Sequence, residues 1–190
     1  MTSGNTSIAA VQHGDEDGAP ATGGARLRTV NSGAKNPIVT DAAKAEWIRA
    51  GYGNRVRVLA SAEQTGGAMT VLEFDEAEGY VTVLHRHDDA DEMIYVIDGS
   101  LTVFMDDVRQ EVGAGSYILI PKGKVHAQGN TSGKRVRFLL QLSPSGFERF
   151  FYGRQELEDR YGVGTPEYMR ELEALATQCN LTVVGPPPEA

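Results

Sequence analysis

Residues 79–99 read GYVTVLHRHDDADEMIYVIDG, and the fold turns on how this stretch is read. His85 and His87 stand two apart, Glu92 follows five residues after His87, and Gly79 and Gly99 bracket the set. Along a strand, residues i and i+2 project to the same face, so a strand over residues 80–87 turns both imidazoles one way. The acidic turn DDAD then reverses the chain into a second strand, EMIYVI, whose first residue returns a carboxylate to the height of the two rings. Two nitrogens and a carboxylate oxygen at one level ask for a metal.

Around this stretch the texture is that of short strands. RVRVLA, GAMTVLEF, YVTVLH, EMIYVI, SLTVFM, SYILI and RVRFLL are β-branched or aromatic runs divided by Gly, Asp and Asn, an all-β signature. Asp98-Gly99, between EMIYVI and SLTVFM, predicts a two-residue hairpin, because both residues tolerate positive φ. Asp106-Asp107 predicts another tight turn. Upstream, TDAAKAEWIRAG predicts a short helix capped by Thr40 or Asp41 and ended at Gly51, with Trp47 and Ile48 docked on the core.

Residues 1–36 are rich in Gly, Ala, Ser and Thr, and no Phe, Tyr or Trp precedes Trp47. Such a segment buries too little apolar surface to offset its ordering entropy, so a disordered tail is expected there. Beyond residue 142 the pattern turns helical. Phe147, Phe150 and Phe151 lie at i, i+3 and i+4. A second helix is expected from Thr165-Pro166 to about Gln178, burying Met169, Leu172, Leu175, Ala176 and Cys179. These stripes either cover the outside or end of the β domain or close one mouth of a ligand cavity. The expected organisation is a tail (1–36), a helix with the β domain (37–142) and a helical extension packed on it (143–190).

A second constellation occupies residues 115–130, GSYILIPKGKVHAQGN. SYILI ends at Pro121, which stops the ladder, and Gly123 permits a bend before a new strand carries in His126. The chain has four His; three are His85, His87 and His126, and the fourth, His13, falls in the expected tail.

Composition bounds the function. One domain suits 190 residues. The formal charge is 18 − 26 = −8, and Arg135 and Arg137 alternate with apolar residues rather than forming a basic block, which disfavours nucleic acid and anionic membranes as partners. The one cysteine, Cys179, precludes an internal disulfide. No apolar run approaches a membrane span, and residues 1–25 hold no Lys or Arg, so no secretion signal is expected and the location expected is the cytoplasm.

With both stretches in hand, a family resemblance can be stated. Residues 79–99, with Gly79, His85, His87, Glu92 and Gly99 in place, look like the first motif of the cupin superfamily. Residues 115–130, from Gly115 through Pro121, Gly123 and His126 to Asn130, look like its second, and the fifteen residues between them (100–114) resemble the spacing of its microbial one-domain members. The resemblance spans roughly residues 55–142 and implies a cupin (jelly-roll) antiparallel β-barrel with the metal inside, usually assembled as a dimer. GFERFFYGR and the closing NLTVVGPPP resemble the tail of single-domain cupins similar to quercetin dioxygenases.

The ligand chemistry also follows from the residues. Three imidazoles (His85, His87, His126) and one carboxylate (Glu92) suit one divalent transition metal, Fe, Ni, Co, Mn or Zn, and suit Ca or Mg poorly. Four protein ligands on an octahedral ion leave two positions open for substrate and for water or dioxygen. Together with this ligand set, the resemblance to quercetin dioxygenases implies a metal-dependent dioxygenase acting on a small enol or phenol, flavonol-like or diketone-like, with Glu92 expected as ligand and catalytic base. Val81 and Val83 share parity with the two histidines, and Ile94 and Val96 with Glu92; each is a pocket wall or plain core. The alternatives are a cupin isomerase, cyclase or lyase using the metal as a Lewis acid, and a small-molecule-binding cupin without catalysis. A DNA-linked regulator is disfavoured, because the expected tail has no room for a helix-turn-helix.

Overall fold

In the computed structural model the described residues are 37–106 and 108–189. The expected tail and His13 lie outside them, as does Asp107. Within the described residues the chain forms eleven strands and three α-helices, mostly β, in two antiparallel sheets.

The first sheet has six strands in the order β1 (Ile48–Arg49), β2 (Arg55–Ala60), β3 (Thr70–Glu76), β10 (Val136–Ser143), β5 (Asp91–Asp98), β8 (Tyr117–Ile120). The second has five: β11 (Leu181–Gly185), β4 (Leu84–His87), β9 (His126–Gly129), β6 (Ser100–Met105), β7 (Val108–Gly113). The chain crosses repeatedly between them. The ring of continuously paired strands that "barrel" suggests is not formed; two sheets enclose the core instead. Val56, Leu72, Ile94, Val96, Leu101, Phe138 and Leu142 make up the fully buried centre. Ile94 and Val96 are therefore core, while Val81 and Val83 line a cavity.

Several local expectations change. Asp98-Gly99 is not a hairpin: β5 is paired on both edges, to β10 and β8, so β6 must enter the other sheet. Gly99 (φ +81°) makes that corner, and a Cβ there would press on the Arg135 carbonyl at 3.1 Å. The expected helix after Asp41 shrinks to one 3-10 turn, Ala42–Lys44, capped by the Asp41 side chain. Ile48 and Arg49 instead pair with β2, and Trp47 lies under the guanidinium groups of Arg55 and Arg57, 4.6 and 4.4 Å from the ring centre. The strand expected over 80–87 is regular only from Leu84 to His87; before it Val81 makes a single bridge to Gly129.

On the outer face of the first sheet, the arginines that alternate with valine in both RVRV and RVRF meet acids of the strand between them. Glu73 accepts from Arg57 Nη2 (2.7 Å) and Arg137 Nη2 (2.5 Å); Asp75 accepts from Arg55 Nε (2.7 Å) and Arg135 Nε (2.6 Å). These forks hold both carboxyls below their ordinary range against the opposing effect of burial.

A four-residue helix α1 (Ala62–Thr65) carries a Ser61 capping box. Helices α2 (Glu148–Tyr161) and α3 (Pro166–Gln178) follow the sheets, the latter capped by the Thr165 hydroxyl, which accepts from Tyr168 N at 3.2 Å. Phe147, Phe150 and Phe151 are buried as their spacing predicts. On α3 the expected face holds at Ala176 and Cys179, with Leu172 and Leu175 packed against the core, but Met169 is 46% exposed and Tyr168 is buried beside it, its hydroxyl accepting from Arg154 Nε at 3.0 Å. The closing NLTVVG is a strand, β11, beside the histidine strand β4. Among the described residues no helix is long and apolar enough to cross a membrane.

Candidate metal centre

His85 and His87 project from β4 on one face, as their spacing requires, and His126 pairs with His85 across β4 and β9. Glu92 arrives from the facing sheet. The DDAD segment thus carries the chain across the interior rather than into an adjacent strand, and the carboxylate meets the imidazoles from the opposite side.

The four groups are buried, and one ligand atom from each lies within 4.8 Å of all the others. Glu92 Oε2 sits 3.0 Å from His87 Nε2 and 3.2 Å from His126 Nε2. His85 Nδ1 lies 2.8 Å from the Val83 carbonyl and His126 Nδ1 lies 2.9 Å from the Lys124 carbonyl. With Nδ1 of each ring directed at a backbone carbonyl, Nε2 is the nitrogen that faces the centre, where on losing its proton it could ligate a metal. Phe147 stacks edge-on against His87, ring centres 4.7 Å apart, and so fixes that ring's plane.

Electrostatics prepares the same arrangement. Burial, helped by the neighbouring His126, pushes His85 down to about 4, so it is neutral near pH 7. Burial opposes ionisation of Glu92, but hydrogen bonding from His126 and His87 outweighs it and holds the carboxyl well below the usual range. Burial lowers His126 too, yet the Glu92 carboxylate more than reverses this and raises it. The other carboxylate oxygen, Glu92 Oε1, is buried with no hydrogen-bond partner. A buried, ionised, half-satisfied carboxylate facing three nitrogens is costly by itself, and a divalent cation satisfies it. The cluster could hold such an ion. Its three nitrogens and one oxygen fit a transition metal.

The cluster opens into a cavity of about 870 Å³. Phe147, Phe150 and Phe151 from the start of α2 form one wall, and Leu181 and Val183 from β11 another. The rings of the aromatic stripe both belong to the buried core and line the cavity. The β11 contribution was not anticipated: its alternation is too short to stand out from a tail. Asn54, Glu76 and Arg154, buried polar residues that carry no motif, also line the cavity.

Comparison with known proteins agrees with the fold. Residues 72–141 match the family model described as a cupin domain. Over 111 residues the chain is 25% identical to quercetin 2,3-dioxygenase of Bacillus subtilis (strain 168), covering 55% of this chain and 33% of that protein. Over 60 residues it is 35% identical to protein SchB of Streptomyces halstedii, covering 32% of this chain and 44% of that one. The chain thus matches less than half the length of either relative. Among solved structures, KdgF from Halomonas sp. aligns with a TM-score of 0.52 at 16% identity, over 57% of this chain and 96% of that one, a likeness of fold alone.

Proposed function

We propose, on the premise that residues 72–141 form a cupin domain, that this chain is a metal-dependent dioxygenase. Its substrate would be a small enol or phenol, flavonol-like or diketone-like. The carrying observation is the buried cluster of His85, His87, Glu92 and His126 at the head of an aromatic-lined cavity.

His85, His87, His126 and Glu92 would hold the ion. When bound, a divalent transition metal supplies Lewis acidity at a substrate oxygen and, where redox-active, a means of using dioxygen. The chain does the rest. Glu92 Oε1, without a protein partner, would take the proton of the incoming hydroxyl, whose acidity a bound cation would raise. Phe147, Phe150 and Phe151 hold the ring and keep water from the reacting face. The match to quercetin 2,3-dioxygenase supports this choice of substrate class, within its 25% identity.

The test is oxygen uptake by the metal-loaded chain over a panel of flavonols, diketones and catechols. Uptake with at least one supports the reading. Turnover that proceeds equally without oxygen contradicts it and points to an isomerase, cyclase or lyase, whose proton transfer needs only the Lewis acid and Glu92. Binding without product points to a non-catalytic cupin.

The same proposal includes a homodimer in the cytoplasm. The edge strand β8 and its neighbour β5 expose Tyr95, Tyr117 and Leu119, an apolar outer patch suited to a second copy. A light-scattering mass of twice 20.5 kDa is expected, and a monomer mass would refute the dimer.

A further inference from the structure

Among the described residues, four buried side-chain atoms lack a hydrogen-bond partner: Glu92 Oε1, Glu76 Oε1, Asn54 Nδ2 and Glu158 Oε1. The first belongs to the metal centre. Asn54 and Glu76 line the same cavity, and Glu158 lies one turn along α2 from Arg154.

The strand register sets the separation. Leu142 pairs with Glu92 on one side and Thr70 on the other, so Glu92 and Thr70 stand at one level. Glu76 lies six residues further along β3, about 20 Å at about 3.3 Å per residue. Between the two levels, Phe74 and Leu140 form an apolar floor.

At the far end the polar groups are tied together by the backbone. Asn54 Oδ1 accepts from Ala77 N at 2.8 Å, placing its amide beside Glu76, while Nδ2 is left without an acceptor. Asn54 N donates to the Gly51 carbonyl at 2.9 Å, and the Arg154 guanidinium lies over Gly51 so closely that a Cβ there would stand 2.2 Å from Nη2. Gly51 (φ +74°) is thus the residue that admits this arginine. Arg154 itself is buried. Its Nε donates to Tyr168, Glu158 Oε1 forms an ion pair with it at 3.7 Å, and Tyr80 also lies against it. Burial also lifts Glu76 to about 8, so its carboxyl is largely protonated near pH 7 and can donate. Asn54 Nδ2 and the Glu76 carboxyl, both buried and both lining the cavity, therefore lack a partner, a costly arrangement unless a ligand completes it.

We propose that Asn54 and Glu76 form a second subsite that takes an acceptor oxygen (phenolic, carbonyl or carboxylate) on the far end of an elongated aromatic substrate whose reacting hydroxyl lies at the His85/His87/Glu92/His126 cluster. This rests on the function proposed above and narrows it. The substrate is longer than a single aromatic ring and polar at both ends, with an apolar middle against Phe74, Leu140 and the α2 phenylalanines.

The test compares quercetin with 3-hydroxyflavone, which shares the reacting hydroxyl and lacks the outer ones. Binding to the full Zn(II)-loaded chain is measured without oxygen by absorbance titration. Quercetin should bind about tenfold tighter, the worth of one good hydrogen bond to a charged or buried donor. In Glu76→Leu, which replaces an unpartnered carboxyl by an apolar group, and in Asn54→Asp, which keeps the acceptor for Ala77 N, that ratio should fall toward one. A ratio near one in the wild type, an unchanged ratio in both variants, or no binding of either flavonol overturns the subsite. Metal content and oxygen uptake are read separately. A preserved ratio with no turnover would fail the dioxygenase reading and leave the subsite standing.

Discussion

Glu92 and His126 stand on opposite sheets, 34 residues apart in the chain, with Oε2 and Nε2 separated by 3.2 Å. The interior is therefore bridged by a carboxylate that must be ionised to suit its neighbours, while its second oxygen is left for another partner. Glu92→Gln keeps the shape and one oxygen but cannot take a proton. It should lower kcat by about 10²–10⁴-fold while the protein retains part of its metal, read by steady-state assay and metal analysis. Full activity in this variant would remove Glu92 from the chemistry.

Metal binding should stabilise the fold, since the ligands converge only when the two sheets are assembled. Stripping the ion from protein held at about a thousandfold excess over Kd should cost about 4 kcal/mol, seen as a fall in Tm that His126→Ala no longer shows. The effect depends on pH. Glu92 raises His126 above its ordinary value, so protons compete with the metal as pH falls through and below neutrality. Metal affinity should be weaker at pH 6 than at pH 8. Equal affinity at the two would contradict the role of His126.

Glu76 predicts a pH effect of a different kind. Burial raises its carboxyl from about 4.5 to about 8, so the folded chain binds more protons than the unfolded one between those values. Its contribution to stability is full below about 4.5 and is lost as pH rises through 8, a fall on the order of a few kcal/mol. Glu76→Gln, which does not ionise, should flatten this fall in urea melts taken from pH 5 to pH 9. A wild-type curve with the same slope as the variant would contradict the assignment.

Phe147 links the helical extension to the metal centre, being both in the core and in edge contact with His87. Phe147→Ala should cost about 3–5 kcal/mol of stability and loosen the His87 ring, lowering turnover by more than the stability loss explains. A variant with the expected stability loss and wild-type kcat would show that Phe147 only packs.

Much of the centre was legible because strand periodicity places His85 and His87 on one side without reference to the rest of the fold. The direction from which Glu92 arrives was not legible. A turn such as DDAD reads the same whether it joins two paired strands or crosses from sheet to sheet, and only the pairing of β5 with β10 and β8 decides. The same limit applies at Asp98-Gly99. The arginine forks on Glu73 and Asp75 could have been found, since RVRV, EFDE and RVRF alternate charges in complementary phase. Arg154, Asn54 and Glu76 could not: each is an isolated polar residue until the turn at Gly51 and the cavity bring them together.

The central claim is that His85, His87, Glu92 and His126 hold one metal ion. Titration of the metal-free full chain with Co(II), followed by visible absorption, tests it most directly. The account predicts saturation at one equivalent per chain, with the transition abolished in His87→Ala and His126→Ala. Absence of a saturable site, or an unchanged titration in both variants, would contradict it.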